Sequence, residues 1–165
     1  MRKQLAITTT LLLAVSGVVI FVGSLPATSE TGGRTIRLFE HDTQQSLLNL
    51  GGKDTSPGDE AIFAGDLFDH AGGMKIGRVG AVCTTISGTS AAAGDLQCTA
   101  TFVLAGGQIT CQGLSESAAF FGGATVPFAI TGGTGLYRNA RGEGTIQVPQ
   151  DVPNLTDANF VLDLS

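Results

Sequence analysis

The sequence predicts an all-β protein, a small antiparallel eight-stranded closed β-barrel. Three observations lead there. Beyond the N-terminal segment no long apolar stripe of helical period appears. Short runs rich in Val, Ile, Thr and Phe are instead cut at close intervals by Gly, Asp, Asn and Ser. The 24 glycines are numerous enough to serve a tight turn after nearly every run. The runs fall near 34–40, 60–67, 77–87, 96–104, 107–114, 125–131, 142–148 and 158–164. Strands this short gain by closing on themselves, because closure leaves no edge unpaired.

Taken in order, the first run ends in Leu38-Phe39-Glu40. The stretch from Thr43 to Gly58 is the least regular. With Gly51-Gly52 and Ser56-Pro57-Gly58 it reads as a loop over one barrel mouth, with a brief helical turn at Leu47 to Leu50. Ala93-Gly94-Asp95 closes a longer loop before the fourth run. The clearest hairpin is Ala105-Gly106-Gly107, between Phe102-Val103-Leu104 and Gln108-Ile109-Thr110, since Gly accepts the positive φ of tight hairpins. Thr131-Gly132-Gly133-Thr134-Gly135 stops the sixth run. No internal repeat and no second domain are visible.

Residues 1–29 read as a separate segment, and residues 34–165 as the barrel domain. Arg2 and Lys3 precede the largely apolar run Leu5 to Val22, followed by Gly23-Ser24-Leu25-Pro26-Ala27. Charged, apolar, then small is the order of an export signal, with cleavage after Ala27 or Ser29. The apolar run is also close to the roughly 17–25 residues that cross a bilayer, so an uncleaved N-terminal anchor is the alternative. No Cys sits just after the run, which argues against a lipid-modified N-terminus. The protein is expected to be secreted or extracytoplasmic, or held at the membrane by that helix.

The formal net charge is −5, and loss of Arg2 and Lys3 with a signal makes it more negative. An acidic surface repels phosphate backbones and disfavours nucleic acid as a partner. The acids are scattered, as on a solvated surface. The two histidines, His41 and His70, and the absence of any CxxC speak against a zinc site, so no metal is expected. Asn154-Leu155-Thr156 is a formal glycosylation sequon. Gly132-Gly133-Thr134-Gly135 lacks the Lys and the following helix of a phosphate loop. No Ser-His-Asp order supports a hydrolase.

Three stretches carry a family resemblance. Phe63-Ala64-Gly65-Asp66-Leu67-Phe68-Asp69 leads to Ile76-Gly77-Arg78-Val79-Gly80-Ala81-Val82-Cys83-Thr84. Gln97-Cys98-Thr99-Ala100-Thr101-Phe102 leads into Gly106-Gly107-Gln108-Ile109-Thr110-Cys111-Gln112-Gly113. The third and most specific runs from Phe128-Ala129-Ile130-Thr131-Gly132-Gly133 through Thr134-Gly135-Leu136-Tyr137-Arg138-Asn139-Ala140-Arg141-Gly142. Together, over roughly residues 36–164, they resemble the allene oxide cyclase barrels, and the third resembles dirigent proteins even more. The resemblance implies a calycin-like barrel with an apolar luminal pocket. It implies a lipophilic reactive small molecule whose cyclisation or stereoselective coupling the barrel directs. It implies no metal and no organic cofactor, and homo-dimers or homo-trimers.

It also implies site residues. Glu40 matches the strand-one carboxylate that steers charge in the cyclases, and Asp42 stands where they have Asn. A carboxyl in an apolar lumen has a raised pKa and can act as acid, base or cation stabiliser. A solvent-facing acid beside a loop is the plainer reading of Glu40. The Ser-Pro pair of the cyclases is missing at the equivalent spacing, which argues against their own substrate. Asp66 lies near the polar, water-binding position of the cyclases and the paired acids of dirigent proteins. Asp66 and Asp69 are three apart, so at most one faces the lumen. Arg138 and Arg141 belong to the dirigent-like run. One of them is read as pairing with a luminal acid or orienting a phenol or enol oxygen, the other as a structural ion pair. The candidate catalytic residues are therefore Glu40, Asp66 and Arg138.

Asp42, Cys83, Phe102, Phe128 and Tyr137 are the candidate substrate-binding residues. Cys83 falls on the cyclase position whose thiol lines the cavity. A Cys83–Cys98 disulfide between neighbouring strands competes with that reading and is favoured by export. Cys111 occupies a slot where the family has Val and reads as a buried small hydrophobe. Two functions follow: a cofactor-independent cyclase or dirigent-like guide, or a non-catalytic carrier of an apolar small molecule.

Overall fold

A computed structural model describes residues 33–52, 54–88, 93–150 and 156–165. The N-terminal segment read as a signal or anchor, and Asn154 and Leu155 of the sequon, lie outside the described residues. The strands are β1 (Arg34–Leu48), β2 (Glu60–Phe68), β3 (Lys75–Thr85), β4 (Asp95–Leu104), β5 (Gly107–Glu116), β6 (Val126–Gly133), β7 (Gly142–Gln147) and β8 (Asp157–Leu164). A five-residue helix, α1 (Ser117–Phe121), follows β5, and a 3₁₀ turn (Gly135–Tyr137) follows β6. The strands pair antiparallel in chain order, and β8 returns to β1 to close the barrel.

The hairpin expected at Ala105-Gly106-Gly107 is present. Leu104 pairs with Gly107, whose φ of 139° a side chain would resist. The stretch after Thr43 differs from the expectation of a loop with a helical turn. β1 continues through it to Leu48, shifted by a bulge between Asp42 and Gln44. The reason is non-local: Gln44 to Leu48 pair with Ala64 to Glu60, and that ladder overrides the polar local sequence. The actual loop starts at Asn49 and is tied by Asp59, whose carboxylate accepts from Leu50 N at 2.7 Å and Ser56 N at 2.8 Å.

Inward positions alternate along each strand, as period 2 requires. Leu38, Leu67, Phe102, Ile109, Ile130 and Leu162 are buried at one end and fill it. Further along the same strands the inward residues become small: Ala81, Ala100, Cys111, Gly113 and Ala158. Side chains fill a small barrel only if they are large enough. The change in size therefore leaves one end solid and opens a cavity above it.

Candidate functional site

The cavity holds about 90 Å³ of room for the centres of water-sized molecules. A single water needs on the order of 10–15 Å³ by that measure, so the space suits a small organic ligand. Its walls carry five phenylalanines: Phe63, Phe120, Phe121, Phe128 and Phe160. Helix α1 brings Phe120 and Phe121 to the open end, where Phe120 packs with Cys83, Leu96 and Val148. Mostly apolar walls with a few convergent polar groups are the usual make-up of a ligand site.

Those polar groups come chiefly from β1. Leu38, Glu40 and Asp42 are successive inward positions, so the core stripe passes from apolar to acidic as it leaves the solid end. Glu40 is only 7% exposed. Its carboxyl sits over Gly65 of β2, where a Cβ would collide with it. Asp42 accepts from Gln45 Nε2 at 2.6 Å through Oδ2, and its buried Oδ1 has no fixed hydrogen-bond donor. Asp157, which also lines the pocket, bonds His41 Nδ1 at 2.7 Å.

Burial raises the Glu40 pKa to about 8, helped by the negative charges of Asp42 and Asp157 and a hydrogen bond to Asp42. Burial also raises Asp42, against the lowering by its hydrogen bonds to Gln45 and Glu40. At neutral pH Glu40 therefore keeps its proton beside Asp42. One member can give a proton and its neighbour can take one or stabilise positive charge.

Gly65→Ala is expected to push the Glu40 carboxyl from its seat without unfolding the barrel. Crowding of this kind costs about 1–3 kcal/mol. NMR titration of the Glu40 carboxyl checks it: the midpoint falls toward the ordinary range, and an unchanged midpoint would mean that Gly65 does not set the position of Glu40.

Cys83 and Cys98 form a disulfide between directly opposed positions of β3 and β4, and both line the cavity. Cys83 thus joins the pocket wall as half of a crosslink and offers no thiol. Cys111 is free and buried, and burial pushes its thiol up to about 11, which makes it a poor nucleophile.

Residues 39–162 match the family described as allene oxide cyclase barrel like domain. The chain belongs to that family. Similar solved structures include a pyocyanin demethylase, with TM-score 0.66 and 26% identity over 80% of this chain and 100% of that one. A Diels-Alderase from Streptomyces koyangensis has TM-score 0.66 and 21% identity over 81% of this chain, which spans 63% of that protein. A pterocarpan synthase dirigent protein has TM-score 0.60 and 18% identity over 81% of this chain and 94% of that one. No curated protein matches by sequence.

Within this allene oxide cyclase-like barrel, Glu40, Asp42, Cys83 and Phe128 meet at the cavity. The other candidates stand elsewhere. Asp66 faces outward: the flanking Gly65 and Leu67 take the inward phase of β2, and Asp66 pairs with Lys75 Nζ at 2.7 Å. Asp69 follows β2 and binds Met74 N in the turn. Arg138 is exposed in the turn that follows the 3₁₀ turn, and Arg141 Nη1 donates to Ala140 O at 2.6 Å. Tyr137 packs into the apolar core with the Arg34 guanidinium 6.0 Å from its ring centroid. Phe102 is fully buried in the same core and supports Phe160 edge-on, with ring centroids 5.0 Å apart.

Sequence reasoning missed Asp157 and the other four phenylalanines. Ala118-Ala119-Phe120-Phe121, an apolar cluster outside any alternating run, was the available signal for α1. Asp157 carried none, because it reaches the site only through the pairing of His41 with Asp157 that closes the barrel.

Proposed function

We propose that this barrel binds a lipophilic reactive molecule in its aromatic-walled cavity and directs that molecule's cyclisation or stereoselective coupling. The observation that carries the reading is a buried Glu40, whose pKa burial raises to about 8, beside Asp42 in an otherwise largely apolar cavity wall. The walls restrict the ligand to few conformers, which is a source of both rate and selectivity. Glu40 donates a proton or hydrogen bond to oxygen or nitrogen that gains negative charge. Asp42 stabilises positive charge or accepts a proton. The likeness to a Diels-Alderase and to a dirigent protein agrees with a barrel that guides bond formation. The disulfide, with the N-terminal segment, supports action in an oxidising, extracytoplasmic compartment.

The carrier reading is favoured by the same apolar walls and differs in needing no acid. The test begins with native mass spectrometry of the protein from its producer, which identifies a co-purifying molecule. Turnover of its reactive precursor then follows product stereochemistry. Glu40→Gln and Asp42→Asn are expected to lower product selectivity at least tenfold while circular dichroism stays unchanged. Full selectivity in both variants would leave the carrier reading standing.

A further inference from the structure

The cavity's charge is one-sided. Glu40, Asp42 and Asp157 line it, and among the described residues no Lys or Arg does. His41, the cationic partner available to Asp157 when protonated, is 55% exposed in its side chain and is not among the lining residues. Asp42 Oδ1 is buried there without a donor. The remaining walls present aromatic rings, including Phe128 and Phe160 with centroids 6.3 Å apart. Ring faces attract cations, and carboxylates beside them add to the attraction.

We propose that the ligand of this cavity is a flat aromatic molecule bearing positive charge or a hydrogen-bond donor, directed to Asp42 and Glu40, and that carboxylate-bearing lipids are excluded. This rests on the cavity being the ligand site. A carboxylate would meet three acids and, among the described residues, no Lys or Arg. A cationic ring gains from both the acids and the phenylalanines, and its charge is placed against the unpartnered Asp42 Oδ1.

The test uses three probes of similar shape: N-methylquinolinium, 1-methylnaphthalene and 1-naphthoate. Their affinities for the purified full chain are measured by calorimetry at pH 6.5 and 9. The cation is expected to bind about tenfold or more tighter than 1-naphthoate. Its lead should widen at pH 9, where Glu40 is ionised, with His41, Asp42, Asp157 and Cys111 the other titratable groups nearby. Asp42→Asn and Glu40→Gln should each lower cation affinity and leave 1-methylnaphthalene unchanged. Ala100→Phe, which fills the cavity, should abolish binding of both. Equal affinities, or a preference for 1-naphthoate, overturn the charge assignment and leave the cavity reading intact. Binding that survives Ala100→Phe, or no binding by any probe, overturns both.

Discussion

Glu40→Gln is expected to make the barrel more stable above pH 8 and to flatten its stability between about pH 4.5 and 8. The folded-state pKa of Glu40 stands at about 8, against 4.5 for the free group. Below the unfolded value both states hold the proton and nothing is lost. As pH rises from there, the unfolded chain ionises while the folded chain keeps its proton, so stability falls until the folded group also ionises near 8. Each unit of difference is worth about 1.4 kcal/mol. The pair with Asp42 shares part of the effect, so a loss on the order of 3 kcal/mol is expected across this range. Asp42, also raised, adds a contribution of the same sign. Gln has nearly the same shape and no charge to bury, so it removes most of the slope. Urea denaturation at pH 5, 7 and 9 measures it. Parallel profiles for the two proteins would place Glu40 in water, contrary to its burial.

Loss of the disulfide is expected to have a comparable effect at every pH. Cys83 and Cys98 are 15 residues apart, and a loop of that length is stabilised by about 3 kcal/mol when crosslinked. Nine-residue pairing of β3 with β4 holds the two strands together without the bond, so the double Cys83→Ala, Cys98→Ala variant should fold with Tm about 10 °C lower. A reducing agent should destabilise the parent to a similar extent and leave the variant unchanged. Thiol labelling gives a second reading: Cys111 labels only on unfolding, while Cys83 and Cys98 label only after reduction. An unchanged Tm in the variant would show that strand pairing alone confines this loop.

These effects trace to features of different legibility. Cys83 and Cys98 lie on runs recognisable as neighbouring strands, so their opposition could be anticipated. Glu40 lies in phase with Leu38 two residues before it, but the strand alone does not say that this phase faces inward. Asp66 shows where local reading stops. Its sequence neighbours Gly65 and Leu67 face inward, and a one-residue change of phase would exchange every face of β2. Nothing within the run chooses the phase; pairing with β1 and β3 does. Arg138 and Tyr137 likewise sit in a recognisable motif whose place, in a turn packed against apolar core, depends on the strands around it.

By itself the sequence determined the all-β class, the number of strands and the Ala105-Gly106 hairpin, because alternation and turn chemistry act over a few residues. The family resemblance singled out Glu40, whereas the local reading left it a solvent-facing acid beside a loop. Only the tertiary structure decided that β1 runs on to Leu48, that Asp157 joins Glu40 across the closure, and that α1 brings Phe120 and Phe121 to the cavity. Those outcomes depend on ladders between distant segments and on how large and small side chains stack inside a closed barrel. The cavity arises from that stacking, and the raised pKa of Glu40 from the burial it imposes.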